Sequence, residues 1–145
     1  MAIKIDNILI LHSDYYSNIS AMLIAGAKKK LLQNNSCDTP DEISVPGAFE
    51  LPAALEFYAT TMPYKGYIVL GCVIRGETSH YEHVCSEVAR AIMSITVKHK
   101  IALGFGVLTV ENEEQALIRA DVNGKDKGGE AAAACIRMMK VLKND

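Results

Sequence analysis

No stretch of this chain reaches the roughly 18 consecutive apolar residues that a membrane-spanning helix requires, and no tail carries charge of one sign. Lys and Arg number 15 against 17 Asp and Glu, a formal net charge of -2. Such a balance gives no support to nonspecific nucleic-acid binding, which needs many phosphate contacts from clustered cations. Cysteine is scarce as well. Cys37, Cys72, Cys85 and Cys135 form neither the close pairs of a zinc site nor the framework of a small disulfide-bonded domain. A reducing, cytoplasmic setting is the simpler expectation. Also missing are the long glycine-rich phosphate loop, the GxGxxG dinucleotide turn and the HExxH zinc helix. A nucleotide reading would therefore rest on fold analogy alone.

What is present is enough apolar material for one core. At 145 residues and 50% hydrophobic content, with no repeat and no low-complexity linker, residues 1–145 are expected to form a single domain. The amino-terminal MAIKIDNILILHS turns apolar early, but charge interrupts the run, which reads as a first strand rather than a secretion signal. Ile8 to Leu11 fit that strand. Ile19, Met22, Leu23, Gly26, Ala27 and Leu31 then recur at helical spacing. The Lys28-Lys29-Lys30 run within that helix suits a solvated face, with phosphate or partner contact as the alternative.

The stretch NNSCDTPDE breaks the helical pattern and leads to a short strand around Glu42 to Val45, ended by Pro46-Gly47. A second helix follows from Glu50 to Thr60, with Pro52 tolerable in its first turn. Tyr67 to Leu70, or a little beyond, is the clearest strand because both of its faces are apolar. Ser79 stands where a cap for a helix starting at His80 would stand, with Glu82 at capping-box spacing. Ile101 to Val110 gives a fourth strand, Asn112 and Gln115 mark another helix start, and GGEAAAACIRMMKVL closes the chain as a helix. Strand followed by helix, repeated, implies an α/β fold: a parallel sheet covered by helices on both faces. Its ligand is expected beyond the carboxyl ends of the strands.

In that arrangement Tyr15, the Pro46-to-Glu50 turn, the Gly71-to-His80 segment and the region after Phe105 can share one sheet edge. Gly71, Gly76, Thr78, Ser79 and backbone N-H groups suit phosphate at a helix start, although an ordinary turn and cap reads equally well. Histidine's reference pKa lies near neutrality, so His80 can transfer protons, or be a surface polar group. His83, Glu77 and Glu82 near it give only part of a zinc shell. Glu50 can accept hydrogen bonds from a ligand or stabilise a helix start. Tyr15 can stack on a planar heterocycle or pack at the helix entrance, and Phe105 divides between ligand and core in the same way. Arg119 and Lys127, within RADVNGKDKG, can close around phosphate, with solvation or a subunit boundary as alternatives.

The segments SVPGAFELPAAL, LGCVIRGETSHYEHV, FGVLTVENEEQALIRA and NGKDKGGEAA, in this order along nearly the whole chain, resemble the 6,7-dimethyl-8-ribityllumazine synthase family. The resemblance implies a flavodoxin-like three-layer sandwich with a four-stranded parallel sheet. It also implies pentamers, or assemblies of pentamers, with active sites between neighbouring subunits, and raises association with riboflavin synthase. The implied reaction joins 5-amino-6-(D-ribitylamino)uracil to 3,4-dihydroxy-2-butanone 4-phosphate and needs no redox cofactor or metal. On matching positions, Tyr15 stacks on the pyrimidine, Ala48, Phe49 and Glu50 form a substrate-binding turn, and Cys72, Val73 and Ile74 line the uracil side. Glu77 and Thr78 fall on the phosphate side, His80 at proton transfer, Phe105 at a later ligand contact, and Arg119 and Lys127 on phosphate.

Five residues depart from the family's usual pattern. Asp14 and Tyr16 flank the stacking ring where arginine and asparagine are usual. Glu77 replaces a small residue, and His83 a tyrosine. Asp126 stands for asparagine and is expected to pair with Lys127. Two other readings stay open at this stage, a carrier of a ribityl pyrimidine or flavin that turns over poorly, and a mainly structural homomeric shell.

Overall fold

A computed structural model describes residues 7–143. The start of the amino-terminal run, residues 1–6, lies outside the described residues. The first strand, β1, is Ile8–Ser13, and every one of its residues is buried. Helix α1 follows over Ser17–Gln33, burying the stripe formed by Ile19, Leu23, Gly26, Ala27 and Leu31. Then come β2 at Asp41–Val45, a short 3-10 turn at Ala48–Glu50 and α2 at Leu51–Thr61, with Pro52 in its first turn. Next are β3 at Gly66–Ile74 and α3 at His80–His99. Strand β4 at Leu103–Val110 leads to α4 at Glu113–Ala120 and α5 at Lys127–Val141.

The four strands form one parallel sheet in the order β2-β1-β3-β4. Side chains alternate across it. Ile8, Ile10, Ile68 and Leu70 pack with Leu23, Ala116 and Ala132 in the layer of α1, α4 and α5. Leu9, Leu11 and Val69 pack with Leu51, Leu55, Val84 and Val88 in the layer of α2 and α3. Each fully buried leucine or isoleucine contributes about 1.5–3 kcal/mol, so both layers hold the sheet firmly. This is the expected three-layer α/β sandwich with a four-stranded parallel sheet, of flavodoxin-like form.

The element bounds differ from the sequence expectation at their ends. Strand β3 runs on to Ile74 because β4 matches it through the pair Ile74 and Val110. Strand β4 begins at Leu103 rather than Ile101, and α2 begins one residue late because Ala48–Glu50 coil more tightly. The α5 layer sits very close to its neighbours. A Cβ on Gly128 would lie 2.0 Å from the Leu23 carbonyl oxygen, and one on Gly104 1.8 Å from that of Ala131. Backbone therefore meets backbone at both places, which only glycine permits. Among the described residues no helix is long and apolar enough to cross a membrane.

Candidate functional site

From β1 the chain passes to β2 on one side and, later, to β3 on the other. Loops leaving the ends of β1 and β3 therefore diverge and open a crevice at the carboxyl edge of the sheet. A hollow of about 560 Å³ occupies it. Behind β1, Tyr15 and Tyr16 line one wall, with ring centroids 4.9 Å apart in an edge-on contact at 73°. Tyr15 is 72% exposed, so a face of its ring is free for a planar ligand. Behind β2, Gly47, Ala48, Phe49 and Glu50 line the next wall.

The end of β3 supplies Cys72, Val73 and Ile74, and the turn beyond it supplies Gly76, Thr78 and His80. Burial, with a smaller contribution from Cys85, pushes the Cys72 thiol up to about 12. Cys72 is thus a neutral lining group at neutral pH, not a nucleophile. The Thr78 hydroxyl accepts a hydrogen bond from the His80 N-H at 3.3 Å. Ser79 makes no side-chain cap, and Glu82 does not return to the helix start, so the expected capping box is absent. Glu82 is drawn off by Arg75, which also holds its carboxyl below the ordinary carboxylate value.

Several lining residues were not among the sequence candidates. Tyr16, Tyr81 and Val84 all face the hollow. Val84 follows His80 by one helical turn, a spacing that signals a shared face. Burial pushes the Tyr16 and Tyr81 hydroxyls up, so both stay protonated near neutrality. Tyrosine and cysteine apart, the ionisable groups of this lining among the described residues are Glu50 and His80, with no lysine or arginine.

Phe105, Arg119 and Lys127 lie elsewhere. They line a second hollow of about 320 Å³ built on β4, α4 and the start of α5. The region after Phe105 therefore does not join Tyr15 and His80 within one chain, because β4 is an edge strand whose outer side faces away from β1. Phe105 is 43% exposed. Arg119 donates to the Gln115 carbonyl at 3.2 Å from the last turn of α4. Lys127 pairs with Glu130 at 2.7 Å, not with Asp126. Asp126 adopts a left-handed conformation, with φ 44, and caps α5 by accepting from the Gly129 N-H at 3.1 Å. Glu77 is exposed and lines neither hollow.

Among the described residues no three histidine, cysteine, aspartate or glutamate side chains gather into a metal shell. Chemically, the first hollow can stack a flat ring, meet its polar edge with β3 backbone and Glu50, and pass a proton through His80. The second can hold an anion. A family model described as 6,7-dimethyl-8-ribityllumazine synthase matches residues 6–143. A protein of that description from Zymomonas mobilis is 46% identical over 93% of this chain and 95% of its own length. One from Bartonella tribocorum is 45% identical over 97% of this chain and 92% of its own. A third, from Novosphingobium aromaticivorans, is 47% identical over 90% of this chain and 92% of its own.

Proposed function

The chain belongs to the 6,7-dimethyl-8-ribityllumazine synthase family, and from that premise we infer that it condenses 5-amino-6-(D-ribitylamino)uracil with 3,4-dihydroxy-2-butanone 4-phosphate. The products are 6,7-dimethyl-8-ribityllumazine, phosphate and water, a step of riboflavin biosynthesis. The observation that carries the reading is the first hollow, where an open tyrosine ring, a polar turn and a histidine meet at one sheet edge.

In the reaction, the 5-amino group attacks the butanone carbonyl to give a carbinolamine, which loses water to an imine. Elimination of phosphate and tautomerisation create a second carbonyl. The ribitylamino nitrogen attacks it, and loss of water closes the ring. Tyr15 stacks on the pyrimidine, while Ala48, Phe49, Glu50, Cys72, Val73 and Ile74 border it. His80 shuttles protons between nitrogen and the departing oxygens. Thr78 and the backbone at Glu77 receive the phosphate at the start of α3, whose N-terminal dipole favours an anion.

Phosphate brings negative charge, and the first hollow offers no permanent cation. Arg119 and Lys127, with Phe105, are therefore assigned to the first hollow of a neighbouring copy, making each site a product of two subunits in a ring of five. Holding both substrates together supplies much of the acceleration through orientation. Residues 1–145 act as one domain in this scheme.

An anaerobic assay that follows lumazine and released phosphate tests the reading. Both products should appear at equal rates without added metal or nucleotide. Tight substrate binding with neither product would mark a carrier, and assembly without selective binding a structural shell.

A further inference from the structure

We propose that Arg75 is a positioning residue for this reaction: it ties the end of β3 to the first turn of α3 and to the end of β4, and so fixes where the intervening turn presents Thr78 and His80. The proposal rests on the function inferred above and concerns a residue outside the hollow's lining.

The Arg75 side chain engages three neighbours at once, Glu111, Glu82 and Tyr81. Its Nε donates to both Glu111 oxygens, at 3.1 and 3.0 Å. Its Nη1 binds Glu82, and its guanidinium lies 4.3 Å from the centroid of the Tyr81 ring. The Arg75 N-H also donates to the Val110 carbonyl at 2.9 Å. Glu111 is itself anchored, since its N-H donates to Gln115 Oε1 at 2.8 Å. Tyr81 and Glu82 immediately follow His80 in the chain. The clasp therefore closes around residues 76–80 from both ends.

All five residues are exposed, and a Cβ placed on Gly76 would meet nothing within 4 Å. The Ser79 carbonyl accepts from the His83 N-H at 3.4 Å, and His80 opens α3. The hydrogen bond from His80 N-H to Thr78 is internal to the turn and cannot place it against the sheet. The turn that leads into His80 takes its position from its two ends, the Arg75 clasp at the end of β3 and the first residues of α3. Direct phosphate binding by Arg75 is disfavoured by the same contacts, because two carboxylates already neutralise its charge. Exposed ion pairs contribute little to stability, so the clasp acts chiefly on geometry.

The test compares wild type with Arg75→Met, Arg75→Lys, Glu111→Gln and the Arg75→Met/Glu111→Gln double variant, with melting temperature and native mass as folding controls. Arg75→Met should lower kcat roughly 10- to 100-fold while leaving KM for each substrate within about twofold, the scale expected when a catalytic group is displaced by about 1 Å. Arg75→Lys should resemble it, because an ammonium cannot reproduce a forked, stacked guanidinium. Glu111→Gln should lower kcat in the same direction, and the double variant should be no worse than Arg75→Met alone. Amide hydrogen exchange over residues 76–82 should quicken in all of them, a readout that stands even without turnover.

Wild-type kcat in Arg75→Met, or unchanged exchange there, overturns the proposal. So does a raised KM for the phosphate substrate with kcat intact, which would make Arg75 a phosphate ligand, or full activity in Arg75→Lys. A wild-type protein that forms no lumazine would instead refute the inferred function, and the exchange result would still decide the clasp.

Discussion

The two hollows share one sheet but are built from opposite materials. The first lies where β1 and β3 diverge, and its walls are aromatic rings, strand backbone and an exposed turn. The second lies on the edge strand β4, and its charged groups are two cations and a glutamate on helices. One offers groups for stacking and proton transfer, the other groups that attract an anion. The separation teaches that these two sets of side chains stand apart within one chain, which is why the inferred reaction draws on a second copy.

The largest effects should come from disabling one half at a time. Arg119→Ala removes a charge-assisted contact and should raise KM for the phosphate substrate about 10- to 100-fold, leaving the pyrimidine's KM unchanged. His80→Ala should lower kcat by about the same factor, the lower reach of positioned proton transfer because water has access to the exposed ring. Steady-state kinetics checks both. Co-assembling the two variants in equal amounts should restore about a quarter of wild-type activity, since one neighbour pair in four then joins two intact halves. Absence of any recovery would place both halves in the same chain and end the comparison.

Smaller effects sharpen it. Tyr15→Leu should raise KM for the pyrimidine about three- to tenfold with the phosphate substrate unaffected, as loss of an aromatic contact predicts. Glu130→Gln frees Lys127 from its ion pair and should lower KM for the phosphate substrate about twofold, given how little exposed pairs contribute. The least effect at neutral pH concerns two buried thiols, Cys72 in the first hollow and Cys135 in the core. Burial pushes Cys72 and Cys135 up to about 12, so the folded chain keeps protons that the unfolded chain releases from about pH 9. Stability is then full below the unfolded value and declines as pH rises toward 12. Urea midpoints at pH 7 and pH 10 should differ in that sense. Equal midpoints in wild type and a Cys72→Ala variant at both pH values would remove Cys72 from the explanation.

The sheet and its covering helices were legible because apolar periodicity reports which faces are buried. Asn112 was legible as a cap too, since its side chain accepts from the Gln115 N-H at 2.9 Å. Ser79 and Glu82 have the same spacing and fail. The difference is a competitor, Arg75, which reaches Glu82 from the end of a neighbouring strand, and local spacing carries no trace of that. Asp126 misled for a related reason. Adjacent opposite charges suggest a pair, but a left-handed backbone turns this carboxylate onto the Gly129 N-H. Tyr15, Glu50, Thr78, His80, Phe105, Arg119 and Lys127 stood out by their own chemistry, the family's motifs supplied their expected roles and the remaining candidates, and the division into two hollows follows from strand order.

The contacts of Gly104 and Gly128 bear on how this protein can change over time. Both glycines meet a carbonyl oxygen at distances that exclude any side chain. Lys127, next to Gly128, therefore rides on scaffolding that tolerates almost no variation. The Tyr15 loop and the turn before His80 protrude into solvent with no comparable restriction. In the inferred scheme, descendants of this sequence can thus retune the heterocycle contact far more readily than the anion contact. A library randomised at residues 14–16 and 76–79 should yield folded proteins with new ring preferences, whereas one at Gly104 and Gly128 should yield few folded proteins at all.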